Sequence, residues 1–294
     1  MRKYIIYYLD ELEMEKNISA NTRQSYERDL NRLITYLIES DVGDLAEIQY
    51  THLNDYMMHL RHEGKANSTL SRHLAAFRGF FRYLEQERVL EYNPCKRITT
   101  PKKQMQLPSV MTLEEVELFL NQPDDSAKGL RDKAMLEVLY ATGIRVSELI
   151  NLTMADINIP LGYIRCQTQK KARIIPIGKT CSHSIKKYLK DSRHQFLRQE
   201  EQVNEVFLNY QGKKLTRQGF WKIVKAYARR ANIEKTITPH MLRHSFASHM
   251  VQNGADLNAV KEMMGHSDIA STQLYLNQKN HKIKEEYLKA HPRA

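Results

Sequence analysis

Thr238-Pro-His-Met-Leu-Arg-His-Ser-Phe-Ala247 opens with a threonine that can cap a helix. A proline follows at the first helical position, where its missing N–H would have no partner in any case. The helix carries Leu242, Phe246 and Met250 as one apolar stripe, with His240 and Arg243 as near neighbours on another face. A helix start has partial positive charge and free N–H groups, so this end favours a phosphate before any side chain is counted. Arginine adds a planar fork of donors matched to two phosphate oxygens.

Upstream, Thr112-Leu-Glu-Glu reads as a capping box, and the apolar run Ala134 to Tyr140 predicts a helix that Gly143 ends. Arg145 lies just past that stop, placed to supply a second fork. Residues 162–177 change period: Ile164 and Cys166 alternate with Tyr163, Arg165 and Gln167, before Ile174, Ile175 and Ile177. This predicts a β-hairpin with a basic tip of Lys170, Lys171 and Arg173. Thr216 caps a further helix holding Phe220, Val224 and Tyr227. Downstream, Gly265-His-Ser-Asp-Ile-Ala-Ser-Thr-Gln-Leu-Tyr275 brings a histidine behind a glycine and a tyrosine nine residues on. A tyrosine among Arg and His can attack a phosphodiester without a metal, because the cations stabilise the extra charge of a five-coordinate phosphorus. Each arginine clamp could contribute roughly 2.7–4 kcal/mol, by analogy with lost oxyanion donors. Taken singly these residues say little, since the chain has 16 tyrosines; the joint pattern carries the signal.

The first hundred residues show helical spacing: Ile5, Leu9, Leu12; Tyr26, Leu30, Leu33, Leu37; Leu53, Tyr56, Met57, Leu60; and Leu70, Leu74, Phe77, Phe81, Leu84. Ser19 or Asn21, Thr51 and Ser68 offer N-caps, and Gly43 and Gly64 break the pattern. Between Asn93-Pro94 and Pro108 the sequence loses periodicity and gains charge, as a linker would. The fold class is therefore mainly α: a helical domain over 1–105 and an α-rich domain with a small β-hairpin over 106–294.

The net charge of +11 over 294 residues points to a polyanionic partner. Residues 1–107 hold 16 Lys or Arg against 15 Asp or Glu, and residues 108–294 hold 29 against 19, so the excess sits with the candidate chemistry. Cys95, Cys166 and Cys181 are odd in number and lack Cys-x-x-Cys spacing, which indicates neither disulfides nor a zinc ribbon. No stretch reads as a membrane span, and the N-terminus meets acidic residues too soon for a secretory segment, so a cytoplasmic protein without membrane insertion is expected. His240 and His244 share a helical face, with His249 and His266 nearby in sequence. The intervening Met-Leu-Arg lacks a metalloprotease glutamate and places a cation where a metal would sit, so no metal is expected.

Leu130-Arg-Asp-Lys-Ala-Met-Leu-Glu-Val-Leu-Tyr-Ala-Thr-Gly-Ile-Arg-Val-Ser-Glu-Leu149, the His-x-x-Arg box, the Met-Gly-His-Ser box, the tyrosine and the final His291-Pro-Arg-Ala follow in order. Over almost its whole length the chain resembles a tyrosine recombinase of the Xer type. The resemblance implies a SAM-like core-binding domain and a catalytic domain that close around double-stranded DNA. It implies that Arg145 and Arg243 bind the scissile phosphate, His240 assists deprotonation, His266 hydrogen-bonds the phosphate, and Tyr275 attacks to form a 3′-phosphotyrosyl link. No cofactor is implied.

The family hairpin usually reads Gly-Lys-Gly-x-Lys-x-Arg, whose first lysine protonates the leaving 5′-oxygen. Here the segment is Gln167-Thr-Gln-Lys-Lys-Ala-Arg173, with Thr168 in the lysine's place. Threonine is a poor general acid, so either Lys170 or Lys171 reaches in, or both contact DNA phosphates only. Arg23, Arg72, Arg78 and Arg173 are candidate DNA contacts or solvated surface residues. The resemblance further implies a homo- or hetero-tetramer with a second tyrosine recombinase, resolving chromosome dimers, with a DNA translocase as a candidate activator. The segment after Tyr275 would dock on a neighbour through Leu276, Ile283, Tyr287 and Leu288, or pack within one chain. The rival readings are a mobile-element integrase and a DNA-binding homologue with impaired catalysis.

Overall fold

The computed structural model describes residues 1–98, 109–167, 172–197, 203–265 and 286–293. The chain divides into two compact units, Met1–Gln106 and Leu107–Ala294. The first is built from α1 (Arg2–Lys16), α2 (Ala20–Glu39), α3 (Tyr50–His62) and α4 (Asn67–Gln86). Their apolar positions at spacings of three and four meet in one core, where Leu33, Leu53, Leu74, Phe77, Phe80 and Phe81 are all fully buried. Each such side chain contributes about 1.5–3 kcal/mol relative to exposure. Ser19 caps α2, its hydroxyl accepting from the Thr22 N–H at 3.2 Å. The other two caps differ from the sequence expectation. Gln49 and Ala66 hold the cap positions, so Thr51 and Ser68 lie inside the first turns of α3 and α4. At α3 the second half of the cap comes from His52, whose Nδ1 accepts from the Gln49 N–H.

The second unit contains α5 (Leu113–Leu120), α6 (Ala127–Thr142), α7 (Val146–Leu149), β1 (Ile157–Asn158), β2 (Tyr163–Gln167) and β3 (Ala172–Pro176), followed by α8 (Lys179–Asp191), α9 (Arg217–Arg230), α10 (Pro239–Gln252) and α11 (Leu257–Met264). Thr112 forms the expected capping box with Glu115 at the start of α5. Helix α6 is buried along most of its length, charged residues included, and runs through the core against α8 and α10. Its buried Asp132 is held by Arg131 at 2.7 Å, Lys128 at 3.0 Å and the Tyr227 hydroxyl at 3.0 Å. A buried carboxylate on such a helix needs partners of this kind.

The sheet is antiparallel in the order β1-β2-β3, with Ile164 opposite Ile175 and Cys166 opposite Arg173. Ile164 and Cys166 face the core while Arg165 and Gln167 face out, as the alternation predicts. Strand β1 is two residues long and leaves no periodic trace. Residues 286–290 form a helical turn whose Tyr287 is fully buried in the unit's own core, its hydroxyl accepting from the Gly178 N–H at 3.1 Å. Leu288 is exposed, and Leu276 and Ile283 lie outside the described residues. Among the described residues, no helix is long and apolar enough to cross a membrane.

Candidate active site

Helix α6 stops where Gly143 adopts φ +58°, with its N–H on the Leu139 carbonyl. A side chain there would be strained and would also meet the ring of Phe246, since a Cβ would stand 2.4 Å from it. The turn aims the Gly143 carbonyl at Arg243, whose Nη1 donates to it, and Arg243 Nη2 donates to the Met264 carbonyl at 2.6 Å. Arg243 leaves the first turns of α10, which starts as the sequence predicts: Thr238 accepts from the Met241 N–H and Pro239 takes the first helical position. Leu242, Phe246 and Met250 are fully buried and anchor that helix.

Two residues past Gly143, Arg145 caps the short helix α7. Its Nη2 donates to the Gly265 carbonyl at 3.0 Å, and its Nη1 lies 3.3 Å from Glu148. Arg173, on β3, donates to the Met263 carbonyl at 2.8 Å. Three guanidinium groups from three distant parts of the chain thus meet the carbonyls of Met263, Met264 and Gly265. Met263 and Met264 belong to the last turn of α11 and Gly265 caps it, at the negative end of the helix dipole. Gly265 has φ +65°, and a Cβ there would stand 2.8 Å from the Arg173 guanidinium. Glycine takes this left-handed turn without strain and leaves the Arg173 guanidinium its place.

Carbonyls satisfy hydrogen bonds without neutralising charge. Burial, and then the positive charge of Arg145, lower the Arg243 pKa to about 10, still cationic at neutral pH. The carboxylate facing the cluster among the described residues is Glu148. Burial pushes its carboxyl up, but the Arg173 fork and the Arg145 N–H outweigh this and leave it below the usual range. Beside Arg145 opens a pocket of about 610 Å³, lined by Glu148, Asn151, Asp156, Arg165 and Gln167.

His240 is exposed on the first turn of α10, its ring 6.3 Å from that of His244. His249 has a different task. Its Nε2 donates to the Met111 carbonyl at 2.9 Å, so the neutral ring accepts from the Tyr140 hydroxyl at Nδ1, also at 2.9 Å. Both nitrogens are used inside the core. Among the described residues, no three His, Cys, Asp or Glu side chains are grouped to hold a metal ion. Thr168, Lys170, Lys171, His266 and Tyr275 lie outside the described residues.

The arginines considered as DNA contacts all have partners within the protein. Arg72 pairs at 2.6 Å with the buried Asp29, Arg23 at 2.8 Å with Asp10, and Arg78 donates to the Ile98 carbonyl at 2.5 Å. Arg173 departs furthest from a surface phosphate contact: its side chain is only 12% exposed and its fork is closed on Glu148. Two features escaped the sequence reading. Glu148 is the hub of the cluster, detectable only as an acid three residues after Arg145. Helix α9 exposes Arg217, Trp221, Lys225 and Arg229 along one face, with Lys225 Nζ 4.0 Å from the Trp221 ring centre. The four-residue spacing was available to find that stripe.

The sequence profile of the phage integrase family matches residues 109–282, and that of the phage integrase N-terminal SAM-like domain matches residues 5–88. The chain is 42% identical over 297 residues to tyrosine recombinase XerD of Listeria monocytogenes, covering 100% of both. It is 41% identical over 296 residues to tyrosine recombinase XerD of Staphylococcus epidermidis, again at full length in both. In fold it is similar to the XerH site-specific recombinase bound to palindromic difH substrate in a post-cleavage complex. That likeness has a TM-score of 0.72 at 22% identity, covering 92% of this chain and 80% of that one.

Proposed function

Since the chain belongs to the phage integrase family and is a site-specific tyrosine recombinase, we propose that Arg145 and Arg243 grip the scissile phosphate while Tyr275 attacks it. The observation that carries this assignment is the convergence of Arg145 and Arg243 on the carbonyls immediately before His266. The phenolic oxygen of Tyr275 bonds to phosphorus and the bond to the 5′-oxygen breaks. His240 takes the phenolic proton, and Lys170, standing in for the lysine absent at Thr168, gives a proton to the leaving oxygen. His266 hydrogen-bonds a non-bridging oxygen. The arginines stabilise charge that grows in the transition state, which is where binding accelerates chemistry. Attack by a 5′-hydroxyl of a partner strand reverses the step, and the energy of the phosphodiester is kept in the tyrosyl link, so no cofactor is needed.

The SAM-like unit and the exposed face of α9 hold the duplex, with Arg217, Lys225 and Arg229 on phosphates and Arg72 at the edge of the contact. The chain works as a tetramer on two recombination sites, with itself or a second tyrosine recombinase, and resolves chromosome dimers in the cytoplasm. A DNA translocase supplies activation.

Sequencing chromosomal fragments bound by the purified chain gives the site, and a nicked suicide duplex of that sequence is the substrate. A covalent protein–DNA adduct that disappears in Tyr275→Phe is expected; binding with no adduct would overturn the assignment. Loss of cleavage in Lys170→Ala, restored by a 5′-bridging phosphorothiolate that leaves without a proton, supports Lys170 as the acid. Absence of rescue removes it from that role.

A further inference from the structure

The β-hairpin, α7 and the end of α11 are separated widely in sequence, and one side chain ties them together. Arg173 places Nη1 2.9 Å from Oε1 and Nη2 2.8 Å from Oε2 of Glu148, a paired fork, while its Nε is bound to the Met263 carbonyl at 2.8 Å. Glu148 takes the Arg145 backbone N–H at 2.7 Å through Oε2 and faces Arg145 Nη1 at 3.3 Å through Oε1. The side chains of Arg173 and Glu148 are 12% and 9% exposed, so the pair is held largely out of water, whereas that of Arg145 is 42% exposed and open to a ligand. The inner arginine holds the acid, and the acid holds the outer arginine.

We propose that Arg173 is a positioning residue of the cleavage reaction, fixing Arg145 through Glu148 and the last turn of α11 through Met263. This rests on the assignment of Arg145 and Arg243 as phosphate ligands. Arg173 is not itself a phosphate contact: a phosphate could take its fork only by displacing Glu148, leaving a carboxylate with little access to water short of its main partner. Lysine cannot replace it, because one ammonium cannot span two carboxylate oxygens and a carbonyl in a single plane. The outer guanidinium is thereby set before DNA arrives, and a displacement of about 1 Å at such a site can cost about 100-fold in rate.

The test uses the full chain and the nicked duplex described above, with Arg173→Gln, Arg173→Lys, Glu148→Gln and the double variant Arg173→Gln/Glu148→Gln. Arg173→Lys keeps the charge in place, and thermal melts confirm that each variant is folded. Single-turnover adduct formation at saturating duplex is expected to fall by about 100-fold in each Arg173 variant. DNA affinity and its salt dependence should stay at their wild-type values, and the double variant should be no slower than the slower single one. Cleavage at the wild-type rate in Arg173→Lys, losses that multiply in the double variant, or a salt slope reduced by about one would each overturn the proposal, the last marking a direct phosphate contact. Arg145→Ala separates the two layers: wild-type cleavage in that variant defeats the phosphate-clamp assignment, whatever Arg173 does.

Discussion

Two clusters of charge in the second unit use the same residue types and reach opposite balances. Near the C-terminal end, Arg293 and Lys133 meet Glu117 and Glu137. Arg293 donates to both carboxylates, reaching Glu137 at 2.6 Å, and Lys133 lies 3.1 Å from Glu137, which is 1% exposed. Among the described residues, cations and carboxylates there match in number. At the proposed phosphate clamp, Arg145, Arg173 and Arg243 face Glu148 as their carboxylate among the described residues, and backbone carbonyls also accept from them. A balanced cluster has finished its electrostatic work inside the fold. Where cations outnumber carboxylates, as among the described residues at the clamp, an incoming anion is favoured. The difference separates a cluster that holds the chain together from one that acts on something else.

The contrast breaks first if the unbalanced cluster proves structural. Arg243→Lys keeps a cation but loses the fork, and adduct formation should drop by about 10²–10³-fold. Its unfolding free energy, from denaturant titration, should move by less than about 2 kcal/mol. A variant that cleaves normally and melts early would erase the distinction. Arg293→Gln should behave in reverse. Glu137 is left with Lys133 alone, so unfolding should become easier by about 3 kcal/mol, while adduct formation by the folded protein stays within about twofold of wild type, as expected for sites that do not share partners.

A smaller effect sharpens the picture of the C-terminal end. His291 stacks on Tyr287 with ring centres 4.7 Å apart and also packs against Tyr140 and Phe246. Burial pushes its pKa down to about 4. The folded value lies below the unfolded one, so its contribution is fully present above about pH 6.5 and declines as pH falls toward 4, by about 1.4 kcal/mol per pH unit. His73 in the first unit, also pushed by burial to about 4, follows the same sign. Acid titration of unfolding should therefore be shallower over pH 6.5 to 4 in His291→Phe than in the wild type; an unchanged slope would show that the ring is not held neutral.

Much of the fold was legible because its signals are local. Thr112, Thr216 and Thr238 announce the helices they cap, Gly143 announces the end of α6, and the alternation around Ile164 announces the hairpin. The caps at Gln49 and Ala66 leave no such signal, because a better capping residue stands two positions further on in each case, inside the helix, where packing of the apolar stripe sets the start. The candidate site was legible as a set of residue types, less so as a set of tasks. In sequence His249 stands only as a histidine near the His240 and His244 pair, whereas in the fold it is a core hydrogen-bond bridge between Tyr140 and Met111. Arg173 looked like part of a basic tip and sits inside the protein on Glu148.

Periodicity, caps and glycine stops depend on neighbours within a turn or two, and the sequence by itself therefore determined the helices, the hairpin, the basic second half and the family of residues able to handle a phosphodiester. Which guanidinium faces outward and which is turned inward depends on partners 25 to 120 residues away, as in Arg173 with Glu148 and Arg145 with Gly265. Only the tertiary structure decided that, because a charge takes its role from the other charges, carbonyls and water around it, and those are assembled by folding.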